Sequence, residues 1–242
     1  MNTPTDWFVS WFDSPYYHIL YQHRNNDEAQ FFMNNLTSFL EIPKGSEIID
    51  IPCGKGRHSL YLSTLGFYVT GLDLSKNSIL SAKKFENEQL VFDVHDMRIP
   101  FSKKYDAVFN LFTSFGYFDD DEDDLQVLTN FKNALKPNSF TVIDFINIGK
   151  AIENLVAEET KYIDGIYFHI TKKLENGFIV KSIEIDDNGQ KHHFFEKVKC
   201  IDFSKINSYL NIVGFKLNHT FGNYNLEPFN VKTSDRLILV VQ

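Results

Sequence analysis

The sequence predicts an α/β fold: a doubly wound, mostly parallel seven-stranded sheet with an inserted antiparallel β subdomain. Three observations carry that expectation. Five short apolar runs alternate with helical spacing between residues 47 and 145, the pattern of a buried parallel sheet. Two Asn-Gly pairs, Asn176-Gly177 and Asn188-Gly189, then sit between extended runs and signal type I′ hairpins. After them a helix and two more apolar runs close the chain.

Residues 7–41 read as two helices ahead of the sheet, with Pro15 breaking the first pattern. Asn26 caps the second, Asp27 and Glu28 suit its dipole, and Phe31, Phe32, Leu36, Phe39 and Leu40 give it an apolar face. The first strand, residues 47–51, runs into a glycine turn and a helix carrying Leu60, Leu62 and Leu65. Gly54 and Gly56 let that turn take positive φ and let the main chain lie against a ligand. The second strand ends at Asp73, about twenty residues beyond the glycines, where a carboxylate accepts from the vicinal hydroxyls of an adenosine ribose. Nicotinamide dinucleotides and S-adenosylmethionine both carry that ribose. A dinucleotide fingerprint needs a third glycine at position 59, which is Ser59, and a P-loop needs Ser or Thr where Gly56 stands.

A helix over residues 76–86 leads to a third strand at 90–94, with Asp96 and Met97 just past its end; a carboxylate there accepts from an adenine amino group and a thioether packs on the ring. The fourth strand, residues 105–112, continues into an aromatic loop with Tyr117. The acidic run from Asp119 to Asp124 lacks an EF-hand pattern and reads as the solvated start of a helix with Leu125, Leu128, Phe131 and Leu135 on one face. Residues 136–139 turn the chain into a fifth strand at 140–145. Three extended runs around the Asn-Gly turns predict a three-stranded antiparallel sheet, in which His169, His192 and His193 offer a general base or simply surface histidines. Residues 203–213 form a helix capped by Gly214, and residues 215–221 and 236–241 are the last strands, joined by an aromatic loop with Tyr224.

The run Asp50-Ile51-Pro52-Cys53-Gly54-Lys55-Gly56 resembles the first motif of the class I S-adenosylmethionine-dependent methyltransferases, an acidic and a hydrophobic residue before G-C-G-x-G, with Pro52 in place of the first glycine. The resemblance extends over most of the chain from residue 47 and implies a Rossmann-like sheet closed by an antiparallel hairpin. By the same resemblance the cofactor is S-adenosylmethionine. Its implied contacts are Asp50, Cys53, Gly54 and Gly56 in the motif, Asp73 with Leu74 at the ribose, and Asp96 with Met97 at the adenine. Asn110, Leu111 and Phe112 would stand near the sulfonium, and Tyr17, Tyr21 and Arg24 at the methionine end. Tyr117 and Tyr224 are expected on the substrate side, with Tyr117 and His169 as candidates for a catalytic proton acceptor.

The expected organisation is a helical cap over residues 1–45, a cofactor domain over 46–158 and 202–242, and the β insertion over 159–201. Such an insertion in the resembled family covers the substrate pocket or builds a subunit contact, which would make a homodimer. The reaction implied is methyl transfer to a nitrogen or oxygen of a small molecule; a nicotinamide-dependent oxidoreductase and a non-catalytic cofactor-binding or interaction protein are the alternatives. Composition narrows the partners. A net charge of −8 without a Lys/Arg stripe gives no footprint for nucleic acid. Cys53 and Cys200 have no zinc spacing, and there is no apolar run of membrane length and no secretory leader pattern. The expectation is a cytoplasmic protein with no metal and no membrane contact.

Overall fold

The structure is a computed structural model that describes residues 6–22 and 26–242. In chain order its elements are helices α1 (Trp7–Phe12), α2 (Pro15–Leu20) and α3 (Asn26–Phe39), then β1 (Glu47–Asp50), α4 (Arg57–Thr64), β2 (Tyr68–Asp73), α5 (Lys76–Ala82), β3 (Leu90–Val94), β4 (Tyr105–Asn110), α6 (Asp121–Asn133) and β5 (Leu135–Ile146). There follow α7 (Ile148–Glu153), β6 (Glu158–Ile163), β7 (Ile166–Glu175), β8 (Phe178–Asp187), β9 (Gln190–Lys199), α8 (Phe203–Val213), β10 (Leu217–Phe221) and β11 (Arg236–Val241).

The expected seven-stranded sheet is present in the order β10-β11-β5-β4-β1-β2-β3. Strands β1 to β5 pair in parallel, and β11 inserts antiparallel between β5 and β10. Strand order reverses between β1 and β4, and the crevice at the carboxyl ends on either side of such a reversal is where doubly wound sheets take ligands. Alternation along each strand feeds two cores. Ile49, Val108 and Leu239 face the side covered by α1, α6 and α8, while Ile48, Phe109 and Ile238 face the side of α3, α4 and α5.

The second sheet has four antiparallel strands, β6-β7-β8-β9, one more than the Asn-Gly pairs predict. The extra strand is joined by Asp164-Gly165, whose φ values of 52° and 84° match those of Asn176-Gly177 (50°, 80°) and Asn188-Gly189 (51°, 87°). Asp-Gly is as good a type I′ signal as Asn-Gly.

The amino-terminal part holds three helices where two were expected. Pro15 opens α2 behind the cap Ser14 rather than only ending α1. On α3 the buried face is Ala29, Phe32, Met33 and Leu36, and Phe31 and Phe39 lie on the exposed side. The acidic run does open α6, yet it is not simply solvated. Asp124 is fully buried and pairs with Lys199 at 2.5 Å, Lys199 also reaches Asp121 at 2.9 Å, and Lys197 pairs with Asp119. These pairs fasten the end of β9 to the start of α6. Among the described residues no helix is long and apolar enough to cross a membrane, and no three His, Cys, Asp or Glu residues are grouped to hold a metal.

Candidate active site

A cavity of about 1090 Å³ opens at the carboxyl ends of the parallel strands, roofed by α1 and α2 and walled on its far side by the four-stranded sheet. Its near wall is built locally. The Ile51–Pro52 peptide is cis, and Gly54 and Gly56 take φ of 57° and 82°. A Cβ on Gly54 would meet nothing within 4 Å, so this part of the turn leaves open space for a ligand. A Cβ on Gly56 would instead come within 2.5 Å of the Phe92 ring. Gly56 therefore serves the packing of α4 on β3 and does not line the cavity.

Asp73 closes this wall. Its Oδ2 accepts from Gly54 N–H at 2.7 Å and its Oδ1 from Ser75 N–H at 2.8 Å, which ties the glycine turn to the loop ahead of α5. Burial pushes the Asp73 carboxyl up, and the backbone donors act against that rise. Leu74, Cys53, Asp96 and Met97 also line the cavity. Two expected contacts stand behind it instead. Asp50 is buried, accepts from Ser59 Oγ at 2.6 Å, and is pushed up to about 7, chiefly by burial. Asn110 is buried and donates to Ile51 O at 2.8 Å. Both brace the first turn and the crossover, which suits the short polar side chains a buried strand end requires.

Beyond β4 the chain takes two consecutive left-handed residues, Phe112 (φ 59°) and Thr113 (φ 61°). Such backbone costs on the order of 1–3 kcal/mol per residue and persists only where its surroundings impose it. Here Asp144 imposes it: Oδ2 accepts from Phe112 N–H at 2.8 Å and the backbone O accepts from Thr113 N–H at 2.8 Å. The fully buried Asp144 also holds Arg236, whose Nε donates to Oδ1 at 2.8 Å, and Tyr224, whose hydroxyl donates to Oδ2 at 3.2 Å. Phe112, Tyr224 and Arg236 all line the cavity. Burial and the neighbouring Asp144 push the Tyr224 phenol up, so it remains a donor at neutral pH.

Leu111 and Tyr117 line the same part, and the Tyr117 hydroxyl donates to Thr113 O at 2.5 Å. Tyr17 and Tyr21 of the roof face the cavity as expected, whereas Arg24 lies outside the described residues. Tyr21 donates to Glu196 Oε2 at 2.6 Å, Trp11 Nε1 donates to the same oxygen at 3.2 Å, and Lys181 pairs with Glu196 at 3.0 Å. Sequence reasoning missed Glu196, Lys181, Asp144 and Arg236. A lone acid inside the apolar run of β5 was the available signal for Asp144; for Glu196 there was none, since its partners lie at the other end of the chain.

His169, the expected proton acceptor, does not line the cavity; it stands at 3.6 Å from Glu158 on the second sheet. His192 lies against Tyr16, the two rings tilted by 41°, and His193 bonds Ser182, both away from the lining. The histidines that do line it are His18, His58 and His95. His58 packs on the Phe112 ring at 4.8 Å, its Nε2 has no hydrogen-bond partner among the described residues, and burial lowers its pKa to about 3. It is a neutral imidazole at neutral pH.

The cavity thus combines an open glycine turn, carboxylates at the ends of β2 and just past β3, and an aromatic end, a set that fits an adenosine whose reactive end meets aromatic rings. Comparison with known proteins agrees. Residues 42–197 match the family model described as Methyltransferase domain. The glycine/sarcosine N-methyltransferase of Aphanothece halophytica is 27% identical over 156 residues, 61% of this chain and 57% of that protein. The dTDP-3-amino-3,4,6-trideoxy-alpha-D-glucopyranose N,N-dimethyltransferase of Streptomyces venezuelae is 27% identical over 104 residues, 42% of this chain and 43% of that one. The chain spans about half the length of these curated relatives. The crystal structure of an S-adenosylmethionine-dependent methyltransferase from Clostridium acetobutylicum superposes with a TM-score of 0.79 at 17% identity, over 94% of this chain and 95% of that one, a likeness of fold. The chain belongs to the class I S-adenosylmethionine-dependent methyltransferase family.

Proposed function

We propose that the protein transfers a methyl group from S-adenosylmethionine to a nitrogen of a small molecule, with an oxygen acceptor as the second choice. The observation that carries the reading is one cavity in which Gly54, Asp73 and Asp96 share a space with Phe112, Tyr117, Tyr224 and the charged face of the second sheet. Its volume of about 1090 Å³ lies just above the range of ordinary small-ligand sites, roughly 300–1,000 Å³, enough for a cofactor and an acceptor side by side. That two relatives are named for N-methylation favours nitrogen.

Asp73 would hold the ribose hydroxyls, with Leu74 beside it, and Asp96 with Met97 the adenine. Cys53 and Gly54 would lie along the cofactor, Leu111 and Phe112 at its reactive end, and Tyr17 and Tyr21 at its amino-acid end. When bound, the cofactor supplies an electrophilic methyl on a sulfonium. The chain's own part is to orient the acceptor in line with that methyl and to keep water out. The aromatic wall of Phe12, Tyr17, Phe112 and Tyr117 suits both tasks. An amine that arrives unprotonated needs no base to react, and a proton released afterwards leaves through the polar face that carries Glu196. We read residues 1–45 as a cap, 46–158 with 202–242 as the cofactor domain, and 159–201 as the acceptor-side insertion.

Calorimetric titration with S-adenosylmethionine, S-adenosylhomocysteine and NAD in parallel tests the reading. Binding of the first two alone is expected; binding of NAD alone would replace it with a dehydrogenase. An acceptor screen of paired amines and alcohols, with methylated product followed by mass, then separates nitrogen from oxygen.

A further inference from the structure

Asp96 lines the cavity and Arg98 does not, yet Arg98 controls the Asp96 carboxylate. Arg98 N–H and Nε donate to Oδ1 at 2.9 and 3.1 Å, and Nη2 donates to Oδ2 at 2.6 Å. A carboxylate has about four acceptor sites. Three donors from one residue leave room for about one more. The guanidinium is itself held: Nη1 reaches Asp123 at 3.4 Å, and its carbon stands 4.7 Å from the centre of the Phe118 ring. The loop beneath is fixed by Asn130 Nδ2 donating to Met97 O at 3.0 Å and by Ile99 N–H donating to Asp96 O at 2.9 Å. Burial raises the Asp96 carboxyl, but the Arg98 hydrogen bonds and charge outweigh it and hold it below the ordinary carboxylate value. An ionised carboxylate only accepts. It welcomes an amino N–H and repels a carbonyl oxygen.

We propose that Arg98 is a positioning residue that locks Asp96 in one orientation as a pure acceptor, and so makes the site select a 6-amino purine over a 6-oxo purine in its cofactor. A planar fork of donors does this where a lysine ammonium would leave the carboxylate free to turn. The proposal rests on the reading of Asp96 as the adenine contact.

The test is calorimetric titration of wild type, Arg98→Met, Arg98→Lys and Asp96→Asn with S-adenosylhomocysteine and with its 6-oxo analogue S-inosylhomocysteine. Wild type is expected to prefer the adenosyl ligand by about tenfold or more, the scale of one charge-assisted hydrogen bond. Arg98→Met should lose most of that ratio by weakening the adenosyl ligand alone, Arg98→Lys should recover part of it, and Asp96→Asn should shift preference toward the inosyl ligand. Equal weakening of both ligands by Arg98→Met, or an unchanged ratio, overturns the proposal, because a merely structural arginine would act on both. An unchanged ratio in Asp96→Asn overturns it too, but leaves the methyl-donor site standing. Wild type that binds neither ligand overturns the methyl-donor reading itself.

Discussion

The two walls of the cavity are built on different principles. In the near wall the decisive bonds are short-range: Ser75 to Asp73 spans two positions, Ser59 to Asp50 nine, and Gly54 to Asp73 nineteen. Two of the three use backbone N–H groups, so they follow from the strand–turn–helix itself. Around the rest of the cavity, on the β5–β11 side and on the second sheet, the bonds join side chains from remote segments. Tyr224 and Arg236 meet Asp144 across 80 and 92 positions, and Tyr21 and Trp11 meet Glu196 across 175 and 185. One wall is a local motif that any chain with the right crossover makes. The other exists only after the chain has closed.

The contrast is broken most forcefully at Asp144. Asp144→Ala removes the buried carboxylate that holds Arg236 and frees the Phe112 amide, and should cost about 3–5 kcal/mol of unfolding free energy by urea titration. A loss below about 1 kcal/mol would mean that the strained loop after β4 is held by something else. In the near wall, Asp73→Ala should weaken S-adenosylhomocysteine binding by roughly 1.5–3 kcal/mol in calorimetry. Unchanged affinity would put the cofactor elsewhere.

A pH series sharpens the comparison at His58, whose pKa is lowered to about 3 from an ordinary 6.5. Above pH 6.5 the ring is neutral whether the chain is folded or not. As pH falls below that, the unfolded chain takes up a proton that the folded chain refuses, so stability must decline. Measured against His58→Phe, the wild-type advantage should therefore shrink steadily from pH 6.5 toward 4; a flat difference would show that the ring is hydrated in the folded protein. The smallest effect is expected from Tyr117→Phe. It removes one hydrogen bond to Thr113 O, worth about 1 kcal/mol of stability, and should alter turnover while cofactor affinity stays near that of wild type.

How much could be read beforehand follows the same division. The crossover from Glu47 to Thr64, Asp73 at its strand end, and the Asn-Gly hairpins were legible because each depends on neighbours a few positions away. The Asp164-Gly165 turn carried an equal signal and was passed over, which cost one strand. Phe31 and Phe39 misled because helical spacing states which residues share a face, not which of two apolar faces the sheet will take. The acidic run was legible as a helix start, but its burial depended on Lys197 and Lys199 arriving from β9. Asp50, Gly56 and Asn110 were read as contacts and stand behind the cavity, since a motif fixes where residues lie along the chain and not which of them faces the ligand.

The sequence by itself determined the alternating strands and helices, the glycine turn and the acid that closes it, and with them the family, because apolar period and backbone permissiveness are properties of short segments. Tertiary structure decided the rest. It gathered Trp11, Tyr21, Lys181 and Glu196 into one polar cluster, set Asp144 under the loop of Phe112 and Thr113, put Arg98 behind Asp96, and left His169 outside. Those choices depend on which buried charges and hydrogen-bond donors meet, and burial makes such meetings obligatory only once distant segments have packed.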